Sequence, residues 1–352
     1  MGMNLKWENN ASFKKDDFNH LWNEINENDD KCMYITGFGF DPRSLKSLEK
    51  IVIKKEIFDL VIIKNTKDTE SPKELEQYSI IENFISDRNY QNIICFLNDA
   101  ISASKYRHVV IDISAMPRHL YLTLINFIIN IIRRYNISNQ IKINFYVTVV
   151  ENPEIDRKIQ SIIAENSDAE ILKGYQKGYT AEDISTSSKI WFPVLGENEV
   201  ERLKKIYEYI RPDEVCPIIP SPSHDPRRSD SLIKEYRELL FDTWGIEISN
   251  FIYATEDNPF DIYKKILDSS KYFSEVFELM SGCRIIISTF SSKLISIGAL
   301  LAANDLQNNG YNVSIFHVKS TNYKNSNAGT EDFIFQSSDF TAIQIEGEIY
   351  DY

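Results

Sequence analysis

The stretch "VVIDISAMPRHLYLTLINFI", from Val109 to Ile128, decides the fold of this chain. Its β-branched residues predict a buried strand that ends at Asp112. A short polar turn follows, then Arg118, and then an apolar segment whose residues recur at helical spacing. A strand followed closely by a helix is the step from which βαβ units and parallel sheets are built.

The same alternation recurs on both sides of this stretch. Near-continuous apolar runs predict the strands of a parallel sheet, because such a sheet is covered on both faces. The predicted strands are "CMYITGF", "FDLVIIK", "HVVIDIS" and "IKINFYVTVV" in the first half, and "IWFPVLG", "EVCPIIP", "ISNFIYAT", "CRIIIST" and "NVSIFHV" in the second. Amphipathic segments between them predict helices, among them "KELEQYSIIENFISD", "YQNIICFLNDAISA", "ENEVERLKKIYEYI" and "KLISIGALLAANDLQ".

The two halves of the chain can be laid over one another. In each half a late strand leads through a small polar turn to a basic residue and then to the most apolar helix, so that Arg118 corresponds to Lys293. We therefore predict an α/β fold of two tandem Rossmann-like units with mostly parallel sheets, related by pseudo-duplication. The alternative is that any two Rossmann-like domains share these general features.

The length of 352 residues favours two domains. The predicted divisions are an N-terminal helical arm at residues 1–30, a first Rossmann-like domain at 31–150, a connecting segment with one helix at 151–188, a second Rossmann-like domain at 189–319, and a C-terminal hairpin or edge-strand tail at 320–352.

Composition and charge exclude several classes of protein. A net charge of −13 argues against a protein that coats duplex DNA, because such binding rests on neutralising many phosphates. No apolar run is long enough to span a bilayer, and the first residues lack the apolar core of a signal peptide.

The four cysteines are far apart and form no CxxC pair, which favours free thiols of a cytoplasmic protein. The scattered histidines predict no metal site. A phosphate-binding P-loop and the third glycine of a dinucleotide fingerprint are both missing, so we expect no cofactor.

Candidate ligand-binding residues follow the predicted strands, because ligands of open parallel sheets lie beyond the carboxyl ends of the strands. They are Gly37, Gly39, Arg43, Asp112, Ser114 and Arg118 in the first half, and Arg227, Ser291, Ser292 and Lys293 in the second.

The basic residues among these candidates point to an anion. Arg43, Arg118 and Lys293 are expected in the first turns of helices, where a cation opposes the helix dipole and a bound anion reverses that cost. Capping hydroxyls, predicted at Ser114 and at Ser291 or Ser292, would add donors for a phosphate. The alternatives are a plain turn at Gly37 and Gly39, capped by Asp41 before Pro42, and salt bridges of Arg118 and Lys293 with neighbours such as Asp112.

The loop "PSPSHDPRRSD", Pro220 to Asp230, carries a second group of candidates. His224 could act as a base oriented by Asp225, or Arg227 and Arg228 could clamp a phosphate. A solvated loop stiffened by prolines is the alternative. A histidine with no identified nucleophile favours phosphate binding or a partner contact over proton transfer.

The layout of "VVIDISAMPRHLYLTLINFI" resembles the CARF and SAVED families, which are Rossmann-like domains of bacterial antiviral systems that bind cyclic oligonucleotide signals. SAVED domains fuse two CARF-like units in one chain, and the two halves here resemble that arrangement. The resemblance implies ligand contacts after the first strand and after the fourth strand of each half, which correspond here to Gly37, Phe38 and Gly39, to Asp112, Ser114 and Arg118, and to Ser291, Ser292 and Lys293. The sequence departs from these families because both halves lack the twin-glycine turn before the basic residue, and no effector domain is fused.

The sequence thus predicts a sensor or regulatory protein of a bacterial antiviral defence system. It would bind a small anionic nucleotide-like second messenger, such as a cyclic oligonucleotide, and act on a protein effector in trans, with no extended nucleic acid and no membrane as partner. One alternative is a nucleotide-processing hydrolase or transferase that uses His224 with Asp225 or Asp112. The other is a scaffold that holds a protein partner through the Trp22 helix and the aromatic tail.

Overall fold

The computed structural model describes residues 5–7, 17–38, 41, 43, 46–51, 53–64, 79–84, 90–103, 105–152, 159–162, 167–176, 187–278, 282–320, 322–325 and 338–350. The chain forms two compact units. The first unit contains Lys14–Ile162 and Thr321–Tyr352, and the second unit contains Met1–Phe13 and Ile163–Ser320.

The helices and strands alternate along the chain. Up to residue 162 they are α1 (Asp17–Glu27), β1 (Cys32–Phe38), α2 (Lys46–Lys50), β2 (Phe58–Lys64), β3 (Ser79–Phe84), α3 (Tyr90–Ser102), β4 (His108–Asp112), α4 (Arg118–Ser138), β5 (Asn144–Glu151) and β6 (Ile159–Ile162). Beyond it they are β7 (Ala169–Ile171), β8 (Ser188–Val194), α5 (Val200–Ile210), β9 (Glu214–Val215), β10 (Ile218–Pro220), α6 (Arg228–Arg237), β11 (Ile252–Ala254), α7 (Pro259–Val276), β12 (Cys283–Thr289), α8 (Lys293–Asn308), β13 (Asn312–Val318), β14 (Asn322–Asn325) and β15 (Asp339–Glu346).

In the described part of the first unit, six strands form one sheet in the order β15-β5-β4-β1-β2-β3. The strands β1 to β5 pair in parallel, and β15 is antiparallel at the edge beside β5. The chain moves outward from β1 to β3 on one side and from β4 to β5 on the other. The topological switch point of this sheet therefore lies between β1 and β4.

The main sheet of the second unit repeats this order. Its described strands run β11-β10-β8-β12-β13-β7, with β9 as a short additional partner of β8. All pairs are parallel except that of β13 with the edge strand β7. Both sheets thus have the order third, second, first, fourth, fifth, followed by an antiparallel edge strand. The predicted α/β fold of two pseudo-duplicated Rossmann-like units is confirmed.

Burial explains why the strand predictions from apolar runs succeed. Every residue of β4 is buried, and so are most of β1, β2, β8 and β12. Helices cover both faces of a parallel sheet, so its central strands need apolar side chains in both directions. In the first unit, Trp22 of α1 packs beside Tyr34 and Phe58 of the sheet.

Two helix predictions are wrong. The segment "KELEQYSIIENFISD" contains β3, which pairs in parallel with β2. The connecting segment contains β6 where we expected a helix, and β6 pairs with β14 in an antiparallel ribbon. Short apolar runs such as "SIIENF" and "IQSI" fit either period, and the neighbouring strand decides between them.

The structure has helix α1 in the predicted arm and an edge strand in the predicted tail. Helix α1 belongs to the first unit, whereas Trp7 is buried in the second unit against Tyr263, with ring centroids 6.0 Å apart. The backbone N–H of Lys6 donates a hydrogen bond to Asp305 at 2.9 Å. The tail supplies β15 as an edge strand of the first sheet, and the connecting segment supplies β7 to the second. The tail and the connecting segment therefore each add an antiparallel edge strand to one of the sheets.

The described residues contain no helix that is long and apolar enough to cross a membrane. The four cysteines, all within the described residues, are free thiols. Cys32 and Cys216 are buried, Cys283 is half-buried and Cys95 is exposed on α3. Burial raises the pKa of Cys32 and Cys216, which keeps both thiols protonated at neutral pH.

His108 at the start of β4 makes the stability of the first unit depend on pH. The ring is buried, stacks on Tyr146, and lies 3.1 Å from the carboxylate of Asp30. Burial lowers the pKa of His108, and Asp30 only partly offsets this effect. Because the folded-state pKa lies below the unfolded value of about 6.5, the unfolded chain binds the proton more readily. The stabilising contribution is complete above pH 6.5 and is lost as the pH falls through the folded-state pKa.

We therefore expect hydrogen exchange of β4 and β5 to show a lower opening free energy at pH 5.5 than at pH 7. The variant His108→Gln should lose much of this difference. Replacing the exposed His20 with Gln provides the control and should leave the difference unchanged. Equal pH dependence in wild type and His108→Gln would contradict the assignment.

Candidate functional site

The switch point of the first sheet brings Asp112 beside Thr36, its partner in the β1–β4 register. Asp112 is buried and accepts four hydrogen bonds from described residues. Tyr34 Oη donates at 3.1 Å, Ser47 Oγ at 2.6 Å, the backbone N–H of Ser114 at 2.9 Å and Ser114 Oγ at 2.5 Å. This carboxylate is therefore engaged by the chain itself and organises the exit of β4.

Ser114 belongs to the same network. Its hydroxyl donates to Asp112 and accepts a hydrogen bond from the backbone N–H of Val150 at 2.8 Å. The predicted cap at Ser114 is wrong, because α4 begins at Arg118 and Pro117 occupies its cap position. The serine connects the exits of β4 and β5, which gives it a structural role.

Gly37 lies near the end of β1, where the loop after β4 packs against it. A Cβ atom on this residue would lie 2.6 Å from Cγ of Met116. We expected this glycine to let a ligand approach the backbone, but Met116 makes that approach in the structure. Gly39, the second glycine of the turn, lies outside the described residues.

Arg43 is buried in an ion pair with Asp41. Its Nε and Nη2 atoms lie 3.0 Å and 2.9 Å from the two carboxylate oxygens, and its backbone N–H donates to Oδ1 at 2.9 Å. The prediction that Arg43 lies in the first turn of a helix is wrong, since α2 begins at Lys46. The local sequence allows Asp41 to accept from the residue two positions later, and this turn fixes the arginine.

Arg118 and Lys293 occupy the same position in their units. Each is the first residue of the helix after the fourth strand, and each side chain is partly exposed. In the second unit Ser292 is the N-cap of α8, and its hydroxyl accepts from the backbone N–H of Ile295 at 3.5 Å. The predicted serine cap before Lys293 is confirmed at Ser292.

The loop after β10 differs from the prediction. The ring of His224 is exposed and faces Asp257, with Nε2 and Oδ1 3.4 Å apart. Asp225 instead accepts the backbone N–H of Arg227 at 3.0 Å, while its own carbonyl accepts from Ser223. Asp225 therefore orders the turn before α6, and the carboxylate beside His224 comes from the loop after β11.

Arg227 is exposed immediately before α6, and its neighbour Arg228 opens the helix. Among described residues, Arg228 is held by two carboxylates: Nε and Nη2 donate to Glu197 at 2.6 Å and 2.8 Å, and Nη1 donates to Glu256. Its Nη2 atom also lies 3.4 Å from the hydroxyl of the buried Ser291. Burial lowers the pKa of Arg228, but the two carboxylates outweigh burial and hold that pKa above its ordinary value.

Sequence reasoning missed the acidic loop after β11. Glu256 and Asp257 follow the predicted strand "ISNFIYAT" directly, and that placement was the available signal. Their partners, Arg228 and His224, come from the loop after β10.

The exits of β8 and β12 approach each other closely at Gly196. A Cβ atom there would lie 2.0 Å from the carbonyl oxygen of Phe290. The carbonyl of Gly196 accepts a hydrogen bond from Tyr236 Oη at 2.5 Å. The backbones of the two strand exits are therefore in contact at the switch point of the second sheet. The described residues include no group of three or more histidine, cysteine, aspartate or glutamate side chains placed to hold a metal ion.

No protein-family model matches this chain, and no curated protein matches it. Among solved structures, a functionally unknown protein from Pseudomonas aeruginosa PAO1 is 11% identical, with 87% of this chain and 95% of that chain covered and a TM-score of 0.21. The UDP-GlcNAc 2-epimerase from Methanocaldococcus jannaschii is 13% identical, with 87% and 98% covered and a TM-score of 0.19. The strand order of the two sheets in the present chain identifies it as an α/β protein of two Rossmann-like units.

Proposed function

We propose that this protein is a sensor or regulatory subunit that binds an anionic, nucleotide-like second messenger. The ligand class is the one that the resemblance to CARF and SAVED domains implies, a cyclic oligonucleotide of a bacterial antiviral system. Ligand occupancy is passed to an effector that acts in trans. One observation carries this proposal. Arg118 and Lys293 each begin the helix that follows the fourth strand of their sheet, and the two sheets have the same strand order.

The electrostatics of these two positions supports an anion. A cation in the first turn of a helix opposes the helix dipole at a cost of about 0.3–1 kcal/mol. An anion at the same helix end gains both the N-terminal amides and the cation, so it reverses this cost. The chain places a basic residue at this unfavourable position in both units, at the edge of the sheet where ligands of this fold bind.

The geometry gives less support to the two alternatives. The hydrolase or transferase alternative pairs His224 with Asp225 or Asp112. Asp225 is engaged by the turn before α6, and Asp112 by Tyr34, Ser47 and Ser114. The carboxylate that faces His224 belongs to Asp257, which that alternative did not include. The scaffold reading needed an available apolar face on α1, and Trp22 is buried in the core of the first unit. The aromatic tail likewise forms β15, which pairs with β5.

A thermal-shift screen against mononucleotides, dinucleotides and cyclic oligonucleotides tests the proposal. A ligand at about 100 times its Kd should raise the free energy of unfolding by roughly 2.7 kcal/mol. We expect this shift with a cyclic oligonucleotide and its loss in Arg118→Ala. Arg134→Ala is the matched control, because Arg134 is exposed at the other end of the same helix. Absence of a shift with every nucleotide, or equal shifts in both variants, would overturn the proposal.

A further inference from the structure

Arg228 connects the loops that follow four strands of the second sheet. Arg228 is the first residue of α6, directly after the loop that follows β10, while Glu197 lies after β8, Glu256 after β11 and Ser291 after β12. One guanidinium group therefore spans the edge at which ligands of this fold bind, including the switch point between β8 and β12.

The two carboxylates around Arg228 differ in exposure. The side chain of Glu256 is 11% exposed, close to the 13% of Arg228, whereas that of Glu197 is 44% exposed. Glu256 is also near the backbone N–H of His224, at 3.4 Å. Glu256 is thus the inner, fixed partner of the guanidinium, and Glu197 is the partner that solvent and solutes can reach.

The atoms that Glu197 uses are those that a phosphate would use. It engages the Nε and Nη2 atoms with both of its oxygens, in the parallel two-bond arrangement that arginine forms with carboxylates and phosphates alike. The Nη1 atom remains committed to Glu256. An incoming phosphate could therefore replace Glu197 while Arg228 keeps its inner partner.

We propose that the Nε–Nη2 edge of Arg228 is a phosphate-recognition group of the second unit, and that Glu197 is a built-in competitor that occupies it until a phosphate displaces it. This inference rests on the proposed function and adds its regulation. Displacement releases Glu197 into solvent, where its charge is hydrated, and it leaves Ser291 and the first turn of α8 beside the bound phosphate. Only a ligand that binds Arg228 better than the tethered carboxylate can open the contact.

The surrounding charges strengthen the competition. Glu235 accepts a hydrogen bond from the backbone N–H of Asn198, which is next to Glu197. Burial, together with the charge of Glu197, raises the pKa of Glu235. The negative charges of Glu197 and Glu235 both repel an approaching anion, and Glu197 in addition occupies the Nε–Nη2 edge of Arg228. Arg228 stays charged across the neutral pH range, so its Nε–Nη2 edge remains able to bind an anion.

The test uses isothermal titration calorimetry to measure the Kd for inorganic pyrophosphate in wild type and in Glu197→Gln. Removing the competing charge should lower the Kd for pyrophosphate at least about tenfold, which corresponds to roughly 1.4 kcal/mol. The matched control is Glu201→Gln, which removes the same charge from an exposed residue in the first turn of α5. The gain should disappear in Glu197→Gln/Arg228→Lys, which keeps the positive charge but lacks the two-atom edge.

Two results would overturn the inference. One is an equal Kd in Glu197→Gln and Glu201→Gln, which would show that only net charge matters. The other is a gain that persists when Arg228 is replaced. The outcome is separable from that of the proposed function. If Glu197→Gln binds pyrophosphate more tightly but the protein binds no nucleotide, the proposed sensor function fails and the role of Glu197 as a competitor stands. If a nucleotide binds with the same Kd in wild type and Glu197→Gln, the sensor function stands and the competitor role fails.

Discussion

Replacing Asp112 with alanine should lower the opening free energy of β1 and β4 by about 3 kcal/mol or more. The carboxylate is buried and accepts from Tyr34, Ser47 and Ser114. Leaving a buried donor without an acceptor costs about 1–3 kcal/mol for each group, and this substitution strands several at once. Hydrogen exchange of peptides from β1 and β4, measured by mass spectrometry, reports the change for the first unit alone.

Two further variants calibrate this prediction. Ser47→Ala removes one donor and keeps the acceptor, so its cost should be about 1 kcal/mol. Asp99→Ala removes the same charge from an exposed position on α3 and should change the opening free energy by less than about 0.5 kcal/mol. A cost for Asp112→Ala close to that of Asp99→Ala would contradict the structural role of the network.

Gly196→Ala and Gly37→Ala should differ strongly although the two glycines occupy corresponding strand exits. At Gly196 the added Cβ would meet the backbone oxygen of Phe290 at 2.0 Å, so two strand ends must separate. At Gly37 it would meet Cγ of the buried Met116 at 2.6 Å, so that side chain must change rotamer, whereas the nearest backbone atoms lie 3.4 Å away in ordinary contact. We expect a cost of about 3 kcal/mol for Gly196→Ala and about 1 kcal/mol for Gly37→Ala.

Hydrogen exchange measures the opening free energy of each unit separately in this comparison, because the peptides from the two units are distinct. Peptides from β8 and β12 should lose protection in Gly196→Ala, and those from β1 and β4 should change little in Gly37→Ala. The wild-type protein and Gly310→Ala serve as references, because a Cβ at Gly310 meets no atom within 4 Å and only its positive φ of 85° opposes the substitution. Equal losses at Gly196 and Gly37 would show that the exits of β8 and β12 are not in rigid contact.

Most of the fold could be predicted from the sequence because strands and helices are indicated by the pattern of neighbouring residues. The buried central strands appear as apolar runs such as "VVIDIS" and "CRIIIST", and the helices between them show their own period. The strands β3 and β6 were missed for the opposite reason. Their short runs fit either structure, and the pairing with β2 or β14 that decides the outcome comes from elsewhere in the chain.

The partners of the candidate site residues were less accessible because most of them are distant in sequence. Arg228 binds Glu197 and Glu256, which are 31 and 28 residues away, so spacing along the chain could not indicate either pair. The ion pair of Arg43 with Asp41 is local, and the pattern Asp-Pro-Arg contained its signal. The equivalence of Arg118 and Lys293 was predicted because both follow the same strand in a repeated order.

The most direct test of the central claim is an equilibrium titration of the nucleotide that gives the largest thermal shift. It would be measured on wild type, Arg118→Gln, Lys293→Gln and the control Arg134→Gln. We predict a Kd at least about tenfold higher at the strand exit whose cation is replaced, Arg118 in the first unit or Lys293 in the second, and an unchanged Kd in the control, since that exit loses a charge-assisted contact with phosphate. An unchanged Kd in both Arg118→Gln and Lys293→Gln would contradict the account, because the ligand would then bind away from both strand exits.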